Sequence, residues 1–321
     1  MRHRLLALAA GTALLATTAC GGGSQDPPSS EGGDELTQLT AGVIPIVDVA
    51  PVYLGVQEGI FEEHGIDLAL ETSAGGAAIV PGVVSGEFDL GFSNVVSLIV
   101  AREQGLPLAT LTNGATSTGE QGADFGGVFV AEGSDIESAA DLEGTTVAIN
   151  TLSNIGDTTV RNSVRVAGGD PADIDFIELP FPDMPAALET GQVDAVWAVE
   201  PFGTVIRQAG GQQITSNFVD TDPDLSVAAY FTSEQRLAED PELFDSLTAA
   251  LQESLTYAED NPDAVREVLT TYTEIDQSVV DELVLPRFPA EIDRDSVQAL
   301  ADLMLEDGLI DAEADLDTLI R

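Results

Sequence analysis

The sequence predicts an α/β protein of two lobes, joined by a hinge that the chain crosses twice and completed by a helical tail. Three observations predict it. Short apolar strands alternate with helical patterns from Thr40 to about Thr112. The alternation restarts after a polar, Gly-rich loop, Asn113 to Asp124. From Glu234 only helical patterns remain, broken by Pro241, Pro262, Pro286 and Pro289. Strands that alternate with helices imply parallel pairing.

Leu39 to Ile44 opens as a strand, and Pro51 to Glu63 reads as one helix with Pro51 suited to its first turn. Ile66 to Glu71 is a strand, and Gly75 to Ser85 a helix that Pro81 should bend. Asp89 to Phe92 is a short strand; Ser93 or Asn94 can cap the helix that runs to about Gln104. Leu108 to Leu111 closes the first series. The second series starts with strands at Gly127 to Ala131 and Thr145 to Asn150, then a helix from about Asn154 to Ala167. Ile174 to Glu178 and Asp194 to Trp197 follow as strands, Pro182 to Glu189 and Pro201 to Gln208 as helices. Leu225 to Phe231 is a further apolar strand. The lobes are then expected at 39–128 with the tail 225–321, and at 129–224. A hinge of two crossings lets lobes close around a ligand.

The amino terminus reads as a targeting segment. Arg2, His3 and Arg4 precede an apolar run, Leu5 to Ala16, too short to span a bilayer. Leu-Ala-Thr-Thr-Ala-Cys resembles a bacterial lipobox, with Thr17 where Leu or Val is more usual. A signal peptide over 1–19, lipid on Cys20 and a flexible tether over 20–38 are expected, because Gly21 to Gly33 is rich in Gly, Ser, Pro and acid. An ordinary secretory signal with an incidental cysteine is the blander reading. Cys20 is the only cysteine, which excludes an internal disulfide. The chain is expected outside the cytoplasm, held to the membrane by that lipid alone.

The charge is extreme. The 321 residues carry 56 acids and 11 bases, all arginine, for a formal net charge of −45. Without Arg2 and Arg4 the balance is 9 against 56, or −47. Nucleic acid and anionic membrane surfaces are poor partners for such a body. A biased composition explains the missing lysine but not the acid excess, which adaptation to high salt explains better. Hydrophobic residues at 44% and a mean hydropathy of +0.12 imply buried cores with the acids outside.

Several stretches resemble one family. "APVYLGVQEGIFEEHGIDLAL" and "VVSGEFDLGFSN" resemble the first-lobe motifs of the NMT1/THI5-like, SsuA/TauA group of ABC-transporter solute-binding proteins. The run from Ala140 to Phe202 resembles its second-lobe core, and "YAEDNPDAVREVL" and "LADLMLEDGLI" its helical tail. The resemblance implies the type-2 periplasmic-binding-protein fold, a small-molecule ligand, an ABC permease as partner and action as a monomer. It implies a ligand among sulfonates, taurine, nitrate and thiamine-precursor pyrimidines without choosing one.

In α/β sheets ligands collect beyond the carboxyl ends of strands. That rule selects five loops: Asp48 after the first strand; Ser73, Gly75 and Gly76, where backbone N–H groups face a helix start; Ser93 and Asn94; Asn150, Thr151, Ser153 and Asn154; and Trp197 to Glu200. Each residue has a plainer role available. The serines and asparagines can cap helices, the glycines can satisfy turns, Trp197 can be core, Glu200 can cap the helix after Pro201, and Asp48 can be a solvated loop acid. No arginine falls in these loops, although Arg161 could reach inward from its helix. A doubly charged anion usually calls for arginine. Asp48, Glu200, Phe92, Trp197 and Phe202 suit a neutral or cationic nitrogenous heterocycle better.

Catalysis has little support. The mature chain has one histidine, His64, at a helix end before a Gly stop, with no nucleophile to pair. There is no zinc-type cluster and no Walker loop, so no metal, cofactor or catalytic residue is expected. Some THI5-like relatives are pyridoxal-phosphate enzymes. That cofactor needs a lysine Schiff base, and this chain has no lysine. A ligand-sensing module without transport remains the other class that shares such a pocket.

Overall fold

A computed structural model describes residues 36–321. The predicted signal peptide, Cys20 and most of the tether lie outside the described residues. In chain order the first series is β1 (Thr37–Val43), α1 (Ala50–Gln57), α2 (Ile60–Glu63), β2 (Ile66–Thr72), α3 (Gly76–Ser85), β3 (Leu90–Asn94), α4 (Val95–Glu103) and β4 (Leu108–Thr116). The second is β5 (Gly126–Val130), β6 (Thr146–Ile149), α5 (Ile155–Val166), β7 (Asp175–Glu178), α6 (Met184–Glu189), β8 (Ala195–Val199), α7 (Phe202–Gln208), β9 (Gln212–Thr215) and α8 (Asn217–Thr221). Then come β10 (Ser226–Ser233), α9 (Glu234–Glu239), α10 (Pro241–Asp260), α11 (Pro262–Tyr272), α12 (Gln277–Glu282), α13 (Arg294–Glu306) and α14 (Leu316–Leu319).

The strands form two five-stranded sheets with matching plans, β2-β1-β3-β10-β4 and β7-β6-β8-β5-β9. β1 runs parallel to β2 and β3, and β6 parallel to β7 and β8. All-parallel pairing, expected from the alternation, does not hold. β10 is antiparallel to β3 and β4, and β5 is antiparallel to β8 and β9. The reason is connectivity: β5 and β10 are the strands the chain enters after crossing from the other sheet, without the crossover helix that parallel neighbours need. They are buried along their whole length, as are β4 and β8.

Other elements also depart from expectation. The helix expected over Pro51 to Glu63 is broken into α1 and α2 by Gly59, which sits at φ +80°. β1 starts at Thr37, inside the stretch read as tether, because Thr37 N–H donates to Gly65 O and the strand zips along β2. β4 runs on to Thr116, so Asn113 to Thr116 is buried strand rather than the start of a loop. The distant tail supplies most of the partners here: Thr112 Oγ1 and Asn113 N–H donate to Ala290 O, Asn113 Nδ2 to Pro289 O, and Thr116 N–H to Arg287 O, while Asn113 Nδ2 also reaches Thr116 Oγ1. β9 and α8, absent from the expected series, close the edge of the second sheet.

The tail serves the first sheet. α10 buries Phe244, Leu247, Leu251 and Leu255, and packs on α1. Tyr272 of α11 stacks on Tyr53 of α1 at 3.9 Å between centroids, and its hydroxyl donates to Ile46 O at 3.0 Å. The loop after β1 is thereby held from two sides.

The chain passes between the sheets twice, from β4 to β5 and from α8 to β10. Arg287 ties both passages together: its guanidinium donates to Ser117 O at 2.6 Å, to Pro223 O at 3.2 Å and to Asp224 at 2.9 Å.

Candidate functional site

The loops beyond the strand ends of the two sheets meet. Asn154 Nδ2, at the start of α5, donates to Ser97 Oγ of α4 at 2.9 Å. Val47 N–H donates to Glu200 O at 3.1 Å. A side-chain carbon placed on Gly75 would stand 3.5 Å from both Asn150 Nδ2 and Thr151 Oγ1. The two α/β units are thus in contact along their facing edges.

Between them lies a cavity lined by Ile44, Ile46, Asp48, Phe92, Asn94, Asn150, Ile155, Phe181, Trp197, Val199, Phe218, Val227 and Ala228. Its accessible volume is about 30 Å³. That is room for roughly one or two waters and too small for a larger guest as it stands. A wider depression, about 430 Å³ on the same measure, opens beside the passages between the sheets, among Thr116, Asp224, Arg287, Asp293 and Arg294. Its arginines are already engaged with Asp224 and Asp317, so the cavity between the lobes is the better site despite its size.

Three polar atoms there are buried without a hydrogen-bond partner: Asp48 Oδ2, Asn150 Oδ1 and Trp197 Nε1. Each such atom left unpaired costs on the order of 1–3 kcal/mol, so three in one cavity make it the candidate place for a guest. The cavity offers two acceptors and one donor on aromatic and aliphatic walls. Phe181 lies 5.4 Å and Phe218 6.0 Å from Trp197, and both approach it at steep angles.

Asp48 sits in a short 3-10 turn, Val47–Val49, and is 2% exposed. Burial pushes its carboxyl up from 3.8 to about 7; its own backbone N–H pulls the other way and the charge of Asp124 adds a smaller upward push. Asp124 is itself raised by burial, against hydrogen bonds from Thr118 and Ser117.

Trp197 is 2% exposed on β8. Close approach explains the glycine at 156: a Cβ there would fall 2.5 Å from Trp197 Cε3. Gly76 is similar, its virtual Cβ 2.9 Å from Ser93 Cα.

Of the sequence-predicted site residues, the cavity gathers Asp48, Asn94, Asn150 and Trp197. Asn94 doubles as the α4 cap, accepting from Ser97 N at 2.9 Å. Ser93 is buried just behind it, and its hydroxyl donates to Asn94 O at 3.3 Å. Asn154 is spent on its helix start and on Ser97. Gly75 and Gly76 form the start of α3 beside the cavity rim, and Ser73 N–H is taken by Val43 O. Thr151 is half-buried; Ser153 is exposed and left-handed, φ +51°.

Glu200 is not a cavity residue. Its carboxylate accepts from Thr204 N and Thr204 Oγ1, both at 2.9 Å, and pairs with Arg207. Burial raises its pKa, and Arg207 opposes that. Arg161 does not reach inward: it pairs with Asp157 and lies over the Phe176 ring. Phe181 and Phe218 escaped the sequence reading. Phe181 follows β7 in Pro-Phe-Pro, a strand-end loop that the same rule covers; Phe218 belongs to the unrecognised α8.

The comparisons with known proteins agree with this architecture. The family model described as NMT1/THI5 like matches residues 46–265. The formylaminopyrimidine-binding protein of Halalkalibacterium halodurans is 24% identical over 223 residues, 68% of this chain and 65% of that protein. The nitrate import ATP-binding protein NrtC of Synechocystis is 26% identical over 85% of this chain and 42% of its own length. The chain therefore spans less than two thirds of either relative. Among solved structures, the alkanesulfonate-binding protein SsuA from Xanthomonas axonopodis pv. citri, bound to MOPS, superposes with TM-score 0.75 at 18% identity, covering 89% of this chain and 99% of that one. The fold is that of the periplasmic binding proteins.

Proposed function

The chain belongs to the NMT1/THI5-like family, and we propose that it is an extracytoplasmic solute-binding protein that captures a small nitrogenous heterocycle between its lobes and delivers it to the permease of an ABC importer. Lipid on Cys20, with the preceding residues removed as a signal peptide, would hold it at the outer face of the cell membrane. The observation that carries the ligand class is the cavity's set of unpartnered atoms. Asp48 Oδ2 and Asn150 Oδ1 accept, Trp197 Nε1 donates, and the walls are aromatic. A ring bearing an amino group and an acceptor nitrogen answers all three. A cation is favoured further, because Asp48 is the one ionisable group in the lining and no arginine joins it.

The working cycle follows from the fold. The lobes part, the guest docks against one of them, and closure brings Asp48 and Asn94 of the first unit and Asn150 and Trp197 of the second onto one small molecule. The chain's own role is to bind, orient and exclude water; nothing in the cavity makes a nucleophile–base pair, and the reading is non-catalytic. The relative from Halalkalibacterium halodurans, a formylaminopyrimidine-binding protein, supports the heterocycle. A receptor for an alkanesulfonate, taurine or nitrate is the second reading, favoured by the SsuA likeness and opposed by the buried carboxyl. The deciding experiment is mass spectrometry of the small molecule released from gently purified protein. A nitrogen heterocycle is expected; a sulfonate or nitrate would overturn the ligand class and leave the receptor role standing.

A further inference from the structure

The two α/β units carry charge of the same sign. The second, residues 126–221, has 15 acids against 3 arginines, a net −12. The first, residues 36–125 with 222–321, has 37 acids against 6 arginines, a net −31. Bringing them together is therefore opposed at every separation inside a Debye length, about 10 Å at 0.1 M salt. Among the described residues, one ion-pair cluster joins α5 of the second unit to α13 of the first. Arg165 pairs with Asp307 through both terminal nitrogens and approaches Glu306 at 3.4 Å. Asp307 is 8% exposed on its side chain and Arg165 25%, so the pair is part-buried and two-pronged, the geometry in which ion pairs count most.

The placement of the acids is informative. Glu306 ends α13 and Asp307 is its C-cap, at the negative end of the helix dipole, with no base in that helix's last turn. For α13 alone two acids there are unfavourable. Arg165, in the last turn of α5, neutralises them from the other lobe and complements its own helix end as well. Other hydrogen bonds across the gap have at most one charged partner, among them Asn154 with Ser97, Val47 N–H with Glu200 O, Val284 N–H with the Glu200 carboxylate, Gln121 with Asp220 and with Ser216 N–H, Gly122 N–H with Ser216 Oγ, and Gln208 with Ser278 O and Glu282.

We propose that Arg165 with Asp307 and Glu306 is an ionic latch that holds the two acidic lobes shut without ligand and so sets the open-to-closed ratio from which every ligand must bind. The proposal does not depend on what the ligand is. It predicts that a pair at the end of α5 opposite the cavity-lining Ile155 governs access to the cavity.

Trp197 supplies a probe, being the only tryptophan and standing at the cavity wall. Acrylamide quenching of its fluorescence is measured on the full ligand-free chain, at one low ionic strength, for the parent, Arg165→Gln, Asp307→Asn and the exchange Arg165→Asp with Asp307→Arg. Salt titration is a poor substitute, since screening weakens the latch and the lobe repulsion together. Loss of about 1 kcal/mol in either single variant corresponds to about a fivefold shift toward the open state, read as a matching rise in the quenching constant. The exchange is expected to return it toward the parent. Circular dichroism accompanies each measurement, and because the two residues lie on different lobes, Asp307→Asn decides the matter where Arg165→Gln loses its fold. Unchanged quenching in a folded single variant, or an exchange variant as exposed as the singles, overturns the latch.

Discussion

Replacing Asp48 by Asn should make the protein more stable and worse at its task, with the stability gain growing as pH rises. The carboxyl is buried and one oxygen has no partner, so its ionised form is poorly solvated. Its pKa is about 7 in the folded chain, against 3.8 as the ordinary value. The folded state therefore keeps a proton that the unfolded state has lost. Stability falls as pH rises from about 4 to about 7 and is level above that, because the unfolded state binds fewer protons throughout the window. Between pH 5 and pH 8 the slope acts over roughly 2 units, at about 1.4 kcal/mol each, so this one group removes on the order of 2–3 kcal/mol.

The assay is urea denaturation of the parent and Asp48→Asn at pH 5 and pH 8. Other carboxylates titrate too, but they are common to both proteins and cancel in the difference. The variant is expected to gain about 2–3 kcal/mol more over the parent at pH 8 than at pH 5. An equal gain at both pH values would refute the reasoning, for it would mean that the carboxyl is ionised without penalty where it lies. The released ligand should bind the variant at least about tenfold more weakly, since a charge-assisted bond is worth roughly 1.5–3 kcal/mol.

Gly156→Ala should force the Trp197 ring into the cavity, costing about 1–3 kcal/mol; urea melts and a shifted tryptophan emission maximum check it. Trp197→Ala should weaken binding of the released ligand, measured by calorimetry, more than Asn154→Ala does, because Asn154 is occupied with Ser97 and its helix start; equal affinity for both folded variants and the parent would move the pocket elsewhere. Mass spectrometry of the membrane fraction should find diacylglyceryl on an amino-terminal Cys20, and a lipid-free mature protein beginning elsewhere would reject the anchor.

Much of this fold is written locally. The strands at Ile66, Asp175 and Ser226, and the helices starting at Gly76, Val95 and Ile155, lie where periodicity and caps place them, because their apolar faces and their cap partners are neighbours in sequence. What is not local is illegible. Asn113 to Thr116 looks like loop because its polar side chains find their acceptors about 175 residues later, at Pro289 and Ala290. The antiparallel strands β5 and β10 look like any other apolar run; only the route by which the chain enters each sheet sets their direction. Glu200 was the site residue most open to a closer reading. Thr204 and Arg207 follow it at helical spacing, and an acid with a base seven residues on is more often a helix-face pair than a cleft group. Trp197, three residues earlier, could not be sorted into core or site: its ring is packed by Gly156 and Phe218, while its N–H is buried without a partner.

The charge of this protein acts differently inside and out. The two units carry −12 and −31, mostly on acids that water and ions screen, and that like charge opposes their approach. In the cavity a single carboxyl is held where screening is weakest, among Ile44, Phe92, Trp197 and Val227. Field per charge is greatest there, so once ionised, above about pH 7, this aspartate would weigh the charge of a guest more than an exposed acid does. On the proposed reading, the same burial that lowers stability at neutral pH would give Asp48 a preference for a positively charged guest, which would recover the lost stability on binding. Closure would then be favoured by the guest from inside and, under the latch proposal, by Arg165 at the far end of α5. Both act by placing a positive charge against carboxylates that the fold has brought out of water.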